Sequence, residues 1–184
     1  MDRLYLFFLR EGKNLKLFFT LFITGFLFLY ASFDIQSIKA DFVQTITNEQ
    51  NSTIKYSGKF YARNDNKALW IYQKPIRKKL YFLNGQVVII EPELEQAIFS
   101  KAKKLPKILD ILKTAEKKGN KLIAKCCDTF YTIIIKNHKI ISVSYKDKIG
   151  NNVKIIFSNE DTNLIIDDEI FRYNIPKDYD ILNN

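Results

Sequence analysis

The chain has 184 residues, enough for one ordinary domain plus an export segment and too short for two. Hydrophobic residues make up 47% and aromatics 14%, with six Gly and four Pro; this excludes a disordered or fibrous chain and allows a sizeable core. The formal charge is +9, which suits nucleic acid, anionic lipid or an acidic protein alike. Lys dominates over Arg and no nucleic-acid motif is visible, so nucleic acid is not an expected partner.

Taken from the start, residues 17–33 run without a charge after Arg10, Lys13 and Lys16. A positive flank, an apolar stretch and a small residue near its end describe a signal peptide. Cleavage after Ala31 gives a leader over 1–31 and a mature domain over 32–184, expected in the periplasm. An uncleaved anchor is the alternative, since about 17–25 residues can span a bilayer. Either way the positive-inside rule puts the rest of the chain outside the cytoplasm.

Strand signals begin at Ile38. From Ile54 to Arg63 the residues Ile54, Tyr56, Gly58, Phe60 and Ala62 alternate with polar or long side chains, the period of a half-solvated antiparallel strand. Residues 64–67 form a polar turn, and Ala68 to Gln73 the next strand. Lys79 to Leu83 is followed by Asn84-Gly85, a strong hairpin signal, and Val87 to Ile90 runs back. After a corner at Pro92, Glu95 to Lys101 reads as another strand. Leu105, Ile108, Leu109 and Leu112 then recur at helical spacing, and Gly119-Asn120 is expected to end that helix. Strands resume at Leu122–Cys126, Thr129–Lys136, Ile140–Tyr145 and Val153–Ser158, with weaker signals at Leu164–Ile166 and Ile170–Tyr173.

About ten short strands in series predict an antiparallel meander. Such a sheet must curl and cover its inner face, and the amphipathic helix is a natural cover. The expected fold is therefore mainly β (α+β): an open, incompletely closed antiparallel β-barrel with a helical lid over an apolar cavity. A curled sheet too wide for its own side chains to fill leaves such a cavity.

Catalytic chemistry is not legible. The single His, His138, sits in a turn without a ligand cluster, so no metal and no cofactor are expected. No nucleophile–base pair or Gly-rich phosphate loop appears, and an enzyme is not expected. Cys126 and Cys127 are adjacent, and adjacent strand residues point to opposite faces; a mutual disulfide is therefore not expected.

The spacing of several pieces resembles one family. Ile38-Lys-Ala-Asp-Phe42-Val-Gln44, Gly58-Lys-Phe-Tyr-Ala-Arg63, Trp70-Ile-Tyr-Gln-Lys-Pro75, Asn84-Gly85 and Glu91-Pro92-Glu-Leu-Glu95-Gln96-Ala97 follow in order. Together they resemble LolA, the outer-membrane lipoprotein carrier family. The ending Phe171-x-Tyr-x-Ile-Pro176-x-x-x-Asp180 is similar too. The resemblance implies a monomeric periplasmic carrier of lipoprotein acyl chains. Such carriers are loaded by an inner-membrane Lol ABC transporter and unloaded onto an outer-membrane acceptor, LolB or an equivalent. It also implies that Arg63 acts as a latch against the lid. Here Arg63 lies one residue further from Trp70 than in the family pattern, Ala68 replaces an aromatic, and Ser142 stands where the family has His. A lipid-binding or sensing module on the same scaffold, without transfer, is the alternative function.

Candidate wall residues for acyl chains are Phe60, Trp70, Tyr72, Leu80, Phe82, Ile89, Phe99, Ile133, Ile155 and Phe157. Any one of them taken singly reads as ordinary core packing, and the expectation concerns their joint excess on a curled sheet; each strand's inward parity is open by one register. The alternative for Arg63 is a solvated charge at a strand end. The basic runs 74–79 and 101–107 suit either anionic headgroups or plain solvation.

Overall fold

The computed structural model describes residues 35–101 and 108–183. The apolar run 17–33 and Leu105 lie outside the described residues. Among the described residues, strands dominate: β1 (Ser37–Thr47), β2 (Thr53–Arg63), β3 (Lys67–Lys74), β4 (Lys78–Leu83), β5 (Gln86–Glu91) and β6 (Gln96–Lys101) come first, with a 3-10 turn, η1 (Pro92–Leu94), just before β6. One helix, α1 (Ile108–Lys113), separates them from β7 (Glu116–Lys118), β8 (Lys121–Cys126), β9 (Thr129–Lys136), β10 (Lys139–Lys146) and β11 (Asn152–Thr162). A second 3-10 turn, η2 (Asp168–Phe171), and β12 (Asp180–Asn183) follow.

The twelve strands described form one open sheet in the order β12-β6-β5-β4-β3-β2-β1-β11-β10-β9-β8-β7. It consists of two meanders, β1–β6 and β7–β11, stitched together where β1 pairs antiparallel with β11. Every pairing is antiparallel except that of β12 with β6. The sheet is not closed into a barrel.

It is nevertheless strongly curled. Trp70 on β3 and Phe157 on β11 are three strand spacings apart in the sheet order, roughly 14 Å along a flat sheet. Their ring centroids are 6.2 Å apart. Curling brings one face together around a cluster that includes Ile38, Phe42, Phe60, Ile133, Ile155 and Phe157, and α1 covers it with Leu109, Ile111 and Leu112. A β-bulge at Gln73 on β3, opposite Ser57 and Gly58 of β2, helps the bend.

The opposite face of the first meander is also buried. A second cluster joins Leu69, Tyr81, Val88, Ile90 and Ala97 to Ile166 and Phe171 from the C-terminal segment. That segment, residues 164–179, crosses the outside of the sheet as a strap. It leaves β11 through Asn163, whose backbone N–H donates to the Ser37 carbonyl at 2.9 Å. Asp167 caps η2 by accepting from the Glu169 N–H at 2.9 Å, and Asp180 N–H donates to the Glu95 carbonyl at 2.8 Å as β12 begins.

Three sequence expectations change. The weak strand signals at 164–166 and 170–173 belong to the strap, whose apolar residues pack on the sheet's outer face instead of pairing in a ladder. The helix ends at Lys113, and Gly119-Asn120 closes the β7–β8 hairpin; Gly119 takes φ +62, a conformation that a hairpin turn and a helix end both ask of Gly. Cys126 closes β8 and Cys127 leaves it, because Cys127 and Asp128 adopt φ +53 and +66 as the tight turn between β8 and β9.

Candidate functional site

The covered face holds a cavity of about 110 Å³. Its origin lies in one pair of small residues. Phe60 faces Trp70 across β2 and β3, and two positions further Ala62 faces Ala68, which in turn faces Phe82 on β4. Two methyl groups stand where the neighbouring positions carry rings, so the wall recedes there. Ile155, Val143, Tyr131 and Tyr145 bound the far side, and Leu109 and Ile111 of α1 lie above. Exposed Asn64 and Asn66 on the β2–β3 turn form one end.

Opposite that end the covered face becomes polar. Gln44 is buried beside Ile155, and the Tyr72 hydroxyl donates to its Oε1 at 2.9 Å. The Lys78 ammonium lies 4.9 Å from the Tyr72 ring centroid and 5.5 Å from that of Tyr56, a cation–π arrangement. Tyr131 stacks on Tyr145 with centroids 5.0 Å apart. Burial, then the neighbouring Tyr145 and the two cysteines, pushes the Tyr131 hydroxyl up to about 12. Burial likewise raises Tyr72 and Tyr145, so all three remain neutral hydroxyls at neutral pH.

Of the expected wall residues, Phe60, Trp70, Phe82 and Ile155 line the cavity. Tyr72, Ile133 and Phe157 share the same cluster. Leu80 faces Trp70, and Ile89 faces Leu80, which sets both on the same side of the sheet. Phe99 does not belong with them. It pairs with Val88, points to the strap face, and meets the Tyr173 ring at 6.0 Å. The one-residue parity of β6 decides this: Ile98, opposite Ile89, takes the inward position. For the helix, Leu109 and Leu112 are buried in the cluster; the Ile108 side chain and Leu105 lie outside what is described. Ile111 is an inward residue that the expected helical face did not include.

Arg63 and Lys67 border the recess. Ala62 faces the cavity, while the Arg63 guanidinium turns toward the strap. Its Nε donates to Asp65 Oδ1 at 3.1 Å and its Nη1 to the Ile166 carbonyl at 2.8 Å. Its Nη2 pairs with Asp168 at 2.6 Å, and its guanidinium carbon lies 5.4 Å from the Phe171 ring centroid. Lys67 joins the cluster, donating to Asp168 at 2.9 Å. The Arg63 and Lys67 cations hold the Asp65 and Asp168 carboxylates below the usual range. Among the described residues, then, the partners of Arg63 lie on the strap and in its own turn and not on α1. Side-chain alternation along β2 is the reason.

Sequence reasoning missed Ala62, Ala68, Val143, Tyr131 and Tyr145 as cavity residues. A small–small pair flanked by aromatic pairs is a readable sign of a recess, but only once the strand pairing is known. The double-sided burial of β3–β5 did leave a trace: Leu69-Trp70-Ile71-Tyr72 and Leu80-Tyr81-Phe82-Leu83 are unbroken apolar runs, the pattern of strands covered on both faces.

The sequence model of the family described as "Outer membrane lipoprotein carrier protein LolA" matches residues 34–122. A Campylobacter jejuni protein named outer-membrane lipoprotein carrier protein is 37% identical over 171 residues, covering 92% of this chain and 99% of the relative. Proteins of the same name from Wolinella succinogenes and Helicobacter pylori strain P12 are 32% and 36% identical, covering 86% and 80% of this chain and 93% and 79% of their own. Among solved structures, an uncharacterised conserved protein from Thermus thermophilus shares the fold with a TM-score of 0.51 at 11% identity, covering 83% of this chain and 93% of its own.

Proposed function

The chain belongs to the LolA family of outer-membrane lipoprotein carriers, and from that premise we propose that it shields lipoprotein acyl chains in the recess between the curled sheet and α1, in the periplasm. Binding and release, without covalent chemistry, are the whole of the task. One observation carries the reading: an apolar recess bounded by Phe60, Trp70 and Ile155 and roofed by a short helix.

The energetics suit a transfer protein. Each methylene moved out of water contributes about 0.8 kcal/mol. A methylene is close in size to a water molecule, whose share of liquid volume is roughly 30 Å³, so 110 Å³ takes about four. A whole acyl chain of ~16 carbons needs roughly 480 Å³ on the same measure. Loading therefore requires the roof to rise, and α1 is not a strand of the sheet, so its movement leaves the ladder unbroken. Separating Leu109, Ile111 and Leu112 from the wall costs apolar contact that the incoming chain replaces. The net affinity is a difference of two similar terms, which lets a donor fill the site and an acceptor empty it. An ATP-driven inner-membrane transporter fits the first role and an outer-membrane acceptor the second.

Trp70, the only Trp in the chain, lines the recess and serves as a built-in reporter. Titration of the purified protein with a triacylated lipopeptide is expected to change Trp70 fluorescence and saturate at one equivalent, while the same peptide without acyl groups leaves it unchanged. Equal responses to both peptides, or none to the acylated one, overturn the proposal.

A further inference from the structure

We propose that Cys126 and Cys127 form an oxidisable vicinal dithiol, a site of thiol–disulfide exchange with small disulfide oxidants at the β8–β9 turn. On an extended strand two adjacent side chains diverge. Here β8 ends at Cys126 and pairs it directly with Thr129 of β9, so Cys127 and Asp128 are the central residues of a two-residue hairpin. Both carry positive φ, +53 and +66, the turn whose twist matches its flanking strands. That backbone rotation swings Cys127 back over its neighbour and brings the two Sγ atoms to 3.2 Å. No disulfide joins them, and both side chains are partly exposed.

Access and consequence are both visible. Cys127 lines a surface groove with Asp128, Thr129, Phe130 and Lys146, where a small disulfide can approach. Cys126 packs at the margin of the covered cluster, to which Tyr131 belongs, and Tyr131 lines the cavity. The redox state of the turn thus adjoins the wall of the recess.

The Cys127 thiolate attacks one sulfur of the oxidant; a new S–S bond forms and the oxidant's other sulfur leaves as a thiolate. Cys126, as thiolate, then attacks the Cys127 sulfur, forming the Cys126–Cys127 bond and expelling the second oxidant thiolate. Two cysteine thiols are oxidised, one external disulfide is reduced, and the two cysteine protons end on the two released thiols. Consecutive Cα atoms are about 3.8 Å apart across a trans peptide, short of the roughly 4.4–6.8 Å usual for a disulfide. The bridge is therefore strained, and strained bridges are the readily reduced ones. It is expected to form and reopen across glutathione ratios that leave ordinary structural disulfides oxidised.

The test uses the full chain and does not depend on the cargo. The protein is equilibrated in glutathione buffers of rising oxidised fraction, quenched in acid, alkylated under denaturing conditions and cut with trypsin. Both cysteines fall in the peptide 126–136. The expected result is a reversible passage from a doubly alkylated peptide to one that carries no alkyl group or glutathione and is lighter by two hydrogens. In Cys127→Ser, Cys126 is expected to stop at a glutathione adduct. A wild-type peptide that stays doubly alkylated at every ratio, that accumulates stable glutathione adducts, or that links two chains overturns the proposal.

Discussion

Replacing Ala62 by Leu separates what the cavity does for stability from what it does for cargo. Ala62 is buried and stands opposite Ala68 at the recess. Leu adds three carbons, roughly 90 Å³ at a water-sized share each, against a cavity of about 110 Å³. Room for about one methylene remains of the original four or so. At about 0.8 kcal/mol per methylene the loss in acyl affinity is about 2.4 kcal/mol, or close to 60-fold. Stability is expected to move the other way. Filling the apolar part of the recess recovers up to ~24 cal/mol per Å³, so at most about 2 kcal/mol, reduced by any strain from imperfect fit. Urea unfolding gives the stability change, and Trp70 fluorescence with an acylated peptide gives the affinity. An Ala62→Leu variant that unfolds no earlier than the parent yet binds acyl chains equally well would refute the reasoning, because the chains would then lodge elsewhere.

Arg63→Leu is expected to loosen the strap: amide exchange at 164–173 accelerates while α1 keeps its protection, with a global loss of about 1 kcal/mol for a half-exposed cluster. Faster exchange at 108–113 instead would restore the helix as the Arg63 partner. Gly58→Ala is expected to cost about 3 kcal/mol or more, because an added Cβ would sit 1.8 Å from the Ile71 carbonyl oxygen and 2.8 Å from its carbonyl carbon; a near-wild-type denaturation midpoint contradicts this. Buried Glu160 accepts the Ile140 N–H at 2.9 Å, and burial raises its pKa above the usual value. The folded state therefore binds that proton more readily than the unfolded chain, so stability is expected to rise as pH falls from neutral toward about 4.3. Asp65 and Asp168 have lowered values and act oppositely: their contribution is complete above about 3.9 and disappears as pH falls through their folded-state values. Denaturation midpoints across pH check both signs, and Glu160→Gln should flatten the first limb only.

Local chemistry was enough to locate most of the strands. Period-two alternation in Thr53–Arg63 and the Asn84-Gly85 turn depend on neighbouring residues alone, so strand positions, hairpins and the greasy composition of a lipid carrier follow from the amino-acid order. Parity within β6 does not, because Phe99 and Ile98 are both apolar and only the partner strand decides which one faces inward. The stitching of β1 to β11, the strap over β3–β5 and the recess at Ala62 and Ala68 depend on residues far apart along the chain. So does the direction of Arg63, whose partners Ile166 and Asp168 lie on that strap. The closeness of Cys126 and Cys127 arises from a backbone turn that the pattern of hydrophobic residues does not register. Where burial is two-sided or a contact is non-local, side-chain identity constrains the outcome only after the sheet has curled, and the curl is a property of the assembled strands.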